Sequence, residues 1–399
     1  MRLAVDSSLL IDDFGPLPVR RPKSVDELCG LVSAAVAASQ GVYPIGGRTT
    51  LDVGLPPIKP GIALDTTALN QVIDYPARDM TITVQAGITI AKLQETLAAE
   101  GQWLPVDLPN PEQATLGGAV ALNKSGPRRL GYGTLRDYVI GISFVTDEGQ
   151  VVKAGGRVVK NVAGYDLMKL QVGAVGTLGV ITQLTLKVKP KPEACAVVRM
   201  ICAASELAGV LDRIHASRSR PVAVDVATEQ SVVGAAWSIW VAFEEKAATV
   251  EWQIATLLEE FKHAPMSDVV AERGPDAAAR LQSLVAATAP ASPFIFKANV
   301  RPSETARFCN EAAELSVPVH AHALNGIAIG HSTDDMLKLM TGAAQRCGGN
   351  LTIRRCPTAW KKDLPIWGKP SGDRDLMRHV KRTLDPKNVF NPGRLFGDL

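Results

Sequence analysis

The sequence predicts an α+β fold in parts: an N-terminal unit over 1–190, a second over 195–370, and a C-terminal helix and segment over 371–399. Three observations predict it. The chain opens in the order α-β-β-α with a glycine-rich turn inside. Lys189-Pro190-Lys191-Pro192 then stops a strand, because proline cannot donate to a ladder and holds its predecessor extended. Beyond that point helices and strands alternate to 355, the pattern of an antiparallel sheet covered by helices and built from two β-α-β repeats.

In the first unit, Ser24 followed by Glu27 forms a capping box that opens a helix through Leu28, Leu31, Val32, Ala35 and Val36. Strands follow over 42–45, 62–65 and 81–86, and Thr89 caps a helix running to about Glu100. A strand over 138–146 closes on the turn Asp147-Glu148-Gly149-Gln150. Over 180–189, Leu184, Leu186 and Val188 alternate with Thr185, Lys187 and Lys189, which predicts a half-exposed strand. In the second unit, helices are expected over 205–218, 245–262, 276–287, 303–315 and 334–347. Strands are expected over 222–227, 237–243, 294–300, 317–323 and 350–355, and a last helix over 373–384.

Composition excludes several classes. The net charge of +3 arises from 43 basic and 40 acidic residues spread along the chain, without the basic block that phosphate-backbone binding needs, so nucleic acid is not expected as a partner. A membrane span needs about 20 consecutive apolar residues, and runs such as 31–38 and 326–330 break far sooner. The first six residues carry no apolar signal core, which predicts a cytoplasmic protein, peripheral to a membrane only through partners. The cysteines at 29, 195, 202, 309, 347 and 356 form no Cys-x-x-Cys pair, so scattered reduced thiols are expected, and any iron–sulfur cluster belongs to another chain.

Three glycine-rich stretches carry the chemistry. Pro44-Ile45-Gly46-Gly47-Arg48-Thr49-Thr50 follows a predicted strand, and its paired glycines let backbone N–H groups approach an anionic pyrophosphate, with hydroxyl donors from Thr49 and Thr50. Its spacing is neither that of a Walker A loop nor of a Rossmann turn. Thr115-Leu116-Gly117-Gly118-Ala119-Val120-Ala121-Leu122-Asn123-Lys124-Ser125-Gly126 joins small residues to hydroxyl and amide donors, as a loop pressed against a cofactor requires. It continues into Gly131-Tyr132-Gly133-Thr134-Leu135-Arg136-Asp137. The third, Gly173-Ala174-Val175-Gly176-Thr177-Leu178-Gly179-Val180-Ile181-Thr182, again puts glycines before a strand.

These stretches, with Lys160-Asn161-Val162-Ala163-Gly164-Tyr165-Asp166-Leu167 and the terminal Asn391-Pro392-Gly393-Arg394, resemble in order the FAD-binding domains of the vanillyl-alcohol oxidase and p-cresol methylhydroxylase type. Ser125-Gly126-Pro127-Arg128-Arg129 and Trp367-Gly368 resemble most the FAD-binding subunits of bacterial glycolate oxidases. The resemblance implies a two-lobed FAD-binding domain of that type followed by an antiparallel-sheet α+β domain. It implies FAD with its pyrophosphate at Gly46, Gly47, Arg48, Thr49 and Thr50. Thr115, Gly118, Ser125 and Gly126 would line phosphates and flavin, Gly179, Val180 and Ile181 would meet adenine or the ring through backbone, and Asn391 would return to the isoalloxazine. Members that attach FAD covalently do so through histidine or cysteine near the first loop. Here Arg48 stands there, no histidine precedes 215 and Cys29 falls in a helix, so non-covalent FAD is implied.

The resemblance also implies a small 2-hydroxy-acid substrate and, as partners, a homologous FAD subunit and an iron–sulfur subunit. Related 2-hydroxy-acid dehydrogenases carry His-Ala-Gly-Asp-Gly-Asn-Leu-His, whose histidines help hold a divalent metal. This chain has His322-Ala323-Leu324-Asn325-Gly326-Ile327-Ala328-Ile329, with an isoleucine at the second ligand position, so that metal is not expected. His320, His322 and His331 leave an alternative cluster, since 320 and 322 face one side of a strand. For catalysis, His322 is the candidate base and Arg355, beside Arg354, the candidate clamp for a carboxylate. Trp360 and Trp367 are candidates for an aromatic wall beside the flavin. Three functions stay open: a 2-hydroxy-acid dehydrogenase subunit, a flavin electron relay or structural subunit, and a stand-alone oxidase.

Overall fold

The computed structural model describes residues 8–157, 166–229, 236–287, 292–370 and 372–399. Residues 160–165 of the lysine-asparagine motif lie outside them.

Ser24 caps the helix Val25–Ala37 by accepting from the Glu27 N–H at 3.1 Å, while the Glu27 carboxylate reaches back to the N–H of Lys23. Leu28, Val32 and Ala35, spaced for one helical face, bury against Val42, Ile62 and Leu64. Those strand residues belong to a four-stranded sheet in the order Ser8–Ile11, Phe14–Arg20, Gly61–Asp65, Gly41–Ile45. The first two strands are an antiparallel hairpin, and the rest pair in parallel.

The second lobe is an antiparallel five-stranded sheet in the order Val72–Asp74, Thr81–Gln85, Val180–Lys187, Val139–Val145, Val151–Gly155. The strand Val180–Lys187 is not half exposed, as its alternation predicts. It is central, and the face carrying Thr182 and Thr185 is buried too, with hydroxyls bonded to Ser143 O and Thr83 Oγ1. Small β-branched polar residues satisfied across the sheet read as solvent-facing in a sequence although they are not.

From Ala194 the chain enters one eight-stranded antiparallel sheet. Its first half runs strand Ala194–Ala203, helix Leu207–Ala216, strands Ala223–Glu229 and Ala236–Glu245, helix Ala247–Glu260, strand Ser267–Arg273. The second half repeats that order: strand Ile295–Asn299, helix Thr305–Glu314, strands Val319–His322 and Ile327–His331, helix Asp334–Arg346, strand Asn350–Arg355. Each half is therefore β-α-β-β-α-β, richer than the predicted β-α-β repeat. The halves join edge to edge where Ala223–Glu229 pairs antiparallel with Val319–His322.

Two of the contacts that hold this sheet to the N-terminal lobes show how closely they pack. The Arg128 guanidinium bridges Asp107 Oδ1 at 2.5 Å and Glu244 at 2.8 Å, with all three side chains largely buried. The N–H of Gly131 bonds Val222 O at 3.0 Å, and a Cβ at Gly131 would lie 2.8 Å from the Val222 Cα, so only glycine permits this approach.

Candidate functional site

The 45–50 turn and the 113–118 segment meet almost without clearance. A Cβ on Gly47 would lie 1.6 Å from Gln113 O, and one on Gly46 would lie 2.1 Å from Thr115 Oγ1. Arg48 takes a left-handed φ of 57°, which turns the chain sharply after the glycines. Among the described residues, none accepts a backbone hydrogen bond from the N–H of Gly46, Gly47, Arg48 or Thr49. Free N–H groups in a concave turn are what an anionic phosphate requires.

The segment read from the sequence as a loop, 115–126, begins as a helix. Thr115 caps Leu116–Leu122, accepting from the Gly118 N–H at 3.4 Å, and Asn123 ends it at φ 45°. Two glycines hide this helix from propensity, yet their smallness lets it lie on Ala86, whose O stands 3.0 Å from where a Gly117 Cβ would be.

Opposite, the C-terminal segment returns to the first lobe. Phe390 bridges to Val42, and Asn391 donates from Nδ2 to Val175 O at 2.7 Å. Lys381, buried in the last helix, fixes this closure by donating to Thr177 O at 2.9 Å, Phe390 O at 3.0 Å and the Asp385 carboxylate. Asp385 in turn accepts from the N–H groups of Val389 and Phe390.

These walls border a solvent-open cavity with about 1020 Å³ of empty space. Gly46, Gly47, Arg48, Thr49, Thr50, Thr115, Gly118, Gly179, Val180, Ile181 and Asn391 line it. Ser125 lies instead in the adjoining cavity, and Gly126 lines neither, packing on the Asp107 side chain. Sequence reasoning missed Lys124, Thr66, Val175 and Arg394, which also line it. Lys124, Val175 and Arg394 stand inside the quoted stretches without having been singled out, whereas Thr66 carries no local signal.

The adjoining cavity, also open to solvent with about 890 Å³ of empty space, shares Thr49, Thr50, Val53, Leu122 and Lys124 with the first and is floored by the eight-stranded sheet. Lys297, Ile327 and Ile329 rise from its strands. Arg354 and Arg355 both enter it, because Ile295 pairs with Arg355 and Phe296 with Ile353, leaving Arg354 as the extra residue of a bulge. A bulge cancels the usual alternation, so two consecutive side chains share a face. Arg355 Nε donates to Asp52 at 2.5 Å. Burial, reinforced by Arg354 and Arg129, lowers the Lys297 amine to about 7, and burial with Arg354 lowers Lys124 to about 8.

The loop 51–55 between the cavities is held from both sides. Arg394 donates to Leu51 O and Val53 O at 2.5 Å each, and to Leu55 O at 2.8 Å. Lys361 donates to Asp52 O at 2.6 Å and Gly54 O at 2.9 Å, and both cations share Asp12.

His322 lines neither cavity. It is buried, with Nδ1 2.9 Å from Asp225 Oδ1, while His320 Nε2 lies 2.6 Å from Asp225 Oδ2. The cluster that forms among the described residues is Asp225, His320 and His322, without His331. Trp360 packs on Phe294, and Trp367 donates to Arg394 O at 3.2 Å, so neither lines the flavin-type cavity. All six cysteines are free thiols. No helix of the described residues is long and apolar enough to cross a membrane.

A two-lobed cavity with a free N–H turn at one end and a C-terminal closure at the other defines a domain that binds an extended phosphate-bearing cofactor. Sequence comparison names that class: the description "FAD binding domain" matches residues 16–155, and "FAD linked oxidases, C-terminal domain" matches residues 369–395. The D-2-hydroxyglutarate dehydrogenase of Xanthomonas citri pv. viticola is 28% identical over 96% of this chain and 89% of that protein. Glycolate oxidase subunit GlcE of Escherichia coli is 40% identical over 35% of this chain and 40% of that protein, and subunit GlcD of Bacillus subtilis is 35% identical over 45% and 38%. The solved alkyldihydroxyacetonephosphate synthase superimposes with a TM-score of 0.69 at 20% identity, over 94% of this chain and 77% of that one, a likeness of fold. The chain therefore carries an FAD binding domain and a C-terminal element like that of FAD linked oxidases, FAD is its cofactor, and it is similar to 2-hydroxy-acid oxidoreductases.

Proposed function

We propose that this chain is the FAD-bearing subunit of a 2-hydroxy-acid dehydrogenase complex, and that the cation-rich cavity holds the substrate. The observation that carries this reading is the bulge that turns Arg354 and Arg355 together into a cavity continuous with the FAD site. A planar guanidinium matches a carboxylate bidentately, and Arg354 makes no ion pair among the described residues. Bound FAD supplies the two-electron acceptor. The turn at Gly46, Gly47, Arg48, Thr49 and Thr50, with Thr115, Gly118, Gly179, Val180, Ile181 and Asn391, holds it. Arg354 and Arg355 hold the carboxylate, and Lys124 adds positive charge from the shared wall.

His322, the residue the sequence suggests as base, faces Asp225 away from this cavity. Lys297 lines the cavity with its amine near 7, so in its neutral form it is the better-placed group to take the hydroxyl proton. Electrons then leave to partner chains, a homologous FAD subunit and an iron–sulfur subunit. The lack of a cluster motif here and the similarity to glycolate oxidase subunits support that route. The complex sits in the cytoplasm or at a membrane surface through those partners.

One observation favours a second reading, a flavin relay without turnover. Ile329 stands where the resemblance puts a metal-ligating histidine, and it lines the cavity as an apolar wall. Anaerobic addition of glycolate, D-lactate and D-2-hydroxyglutarate to the yellow protein decides between them. Bleaching by one of them, with KM raised about tenfold or more in Arg354→Met and Arg355→Met, is expected, since a charged hydrogen bond is worth about 1.5–3 kcal/mol. No bleaching by any of them would leave the relay.

A further inference from the structure

The two β-α-β-β-α-β halves of the large sheet meet along one short seam, in which Asp225 faces His322, Val226 faces Ala321 and Ala227 faces His320. Asp225 comes from the first half and both histidines from the second. The Asp225 side chain is fully buried, His322 is 1% exposed and His320 8%. Both Asp225 oxygens face imidazole nitrogens, and no lysine or arginine pairs with this carboxylate among the described residues. The rings stand edge to face, 5.6 Å apart, and His322 Nε2 is a buried nitrogen without a hydrogen-bond partner.

A fully buried carboxylate whose side-chain partners are two imidazoles, with no lysine or arginine beside it among the described residues, brings one oxygen donor and two nitrogen donors together in a dry place. A cation among the three groups would be held by all of them. One carboxylate and two imidazoles form a donor set that divalent transition metals favour, with bonds of about 2.0–2.2 Å. Ligands at right angles on such bonds stand about 2.9 Å apart and tetrahedral ones about 3.3 Å. The observed 2.6 and 2.9 Å, one to each Asp225 oxygen, lie near these spacings, and one ligand atom from each of the three residues lies within 4.8 Å of the others.

We propose that Asp225, His320 and His322 bind a divalent cation of the zinc class, which staples the two halves of the sheet at their seam. The site differs from the two-histidine pattern of the related dehydrogenases, whose second position is Ile329 here, and it contacts neither the flavin cavity nor the cationic one. Its role is structural, because the seam has only three register pairs and a metal adds covalent-strength links across it.

The test uses the full chain loaded with FAD, stripped with a chelator and titrated calorimetrically with Zn²⁺. One equivalent is expected, with a melting temperature raised by several degrees, because a ligand bound only by the native state stabilises it. His320→Gln, the change at the most exposed member, is expected to stay yellow and folded but to lose the equivalent and the thermal shift. Co²⁺ added to wild-type protein is expected to give ligand-field bands to the red of the flavin absorption, with the intensity of a low-coordinate site bearing nitrogen ligands. That measurement stands even where a variant fails to fold. Absence of stoichiometric uptake by wild type, a cobalt spectrum of the hydrated ion, or uptake unchanged in a folded His320→Gln protein would overturn the proposal.

Discussion

Gly47→Ala tests the FAD cradle most directly. The new methyl carbon would lie 1.6 Å from Gln113 O and 2.5 Å from its carbonyl carbon, where contacts under 3.0 Å are essentially never seen. Since Gln113 O is backbone, no rotamer change helps, and the 45–50 turn and 113–118 segment must part by about 1.4 Å. Overpacking of this kind costs about 1–3 kcal/mol. Both loops line the cavity, so if about 2 kcal/mol of it falls on the bound geometry, FAD affinity drops about thirtyfold. Gly46→Ala supplies the control, because its obstacle at 2.1 Å is the Thr115 hydroxyl, a side-chain atom. Adding Thr115→Ala removes that obstacle at the loss of a helix cap, about 1 kcal/mol. Fluorescence titration of the apoprotein with FAD should show Gly46→Ala rescued by Thr115→Ala and Gly47→Ala not rescued. A Gly47→Ala protein with wild-type affinity would mean that the loops part freely and that their close approach does not build the FAD site.

Lys381→Met leaves Asp385 buried beside the flavin closure without its cation, and breaking such a pair costs about 3–5 kcal/mol; denaturant unfolding of the FAD-loaded variant should show this loss, largely recovered in Lys381→Met/Asp385→Asn. For kcat/KM, which reports the free enzyme, Lys297 must be neutral and Lys124 charged, so the profile should rise with pH through about 7 and fall through about 8. Lys124→Arg, whose charge persists, should abolish the alkaline limb, and an acid limb unchanged in Lys297→Met would remove that lysine as base. Ile329→Asp places a carboxylate directly across from Lys297 in the strand register, where an opposite charge raises the amine by about 1–3 units, and the acid limb should move up by that much.

The parts of this molecule legible in the sequence are those whose signal is local. Ser24 and Thr89 mark their helices because a cap needs only the next three residues. The turn at Gly46 and Gly47, an ordinary turn by itself, shows its role only beside the two other glycine-rich stretches at 115–126 and 173–182. His320 and His322 share a face by the period of two. What the sequence hid depends on partners far along the chain. The strand Ala194–Ala203 starts next to the Lys189–Pro192 stop, where the sequence predicts no element, yet it pairs on both sides. Ser267–Arg273 is an edge strand of mixed polarity. The bulge that unites Arg354 with Arg355 exists only in register with Ile295 and Phe296, and Asp225 gives no sign, 95 residues before His320, that it meets both histidines.

The position of Ile329 explains how one sheet face carries two opposite polarities. Across the strands the register runs Ala227, His320, Ile329, Lys297, Thr352, and in the neighbouring row Asp225, His322, Ile327, Asn299, Asn350. Isoleucines therefore stand between the buried carboxylate with its histidines and the lysine and arginines of the cavity. Were polar groups there instead, Asp225 and Lys297 could satisfy each other through them, and the amine would stay charged near neutral pH. An apolar partition keeps Lys297 without a counter-ion, which is the condition for its lowered pKa, and leaves Asp225 to the imidazoles, which is the condition for its donor set. The same substitution that removes a ligand from the pattern of the related dehydrogenases thus creates both environments, so that Ile329 is read better as a divider between two sites than as the remnant of one.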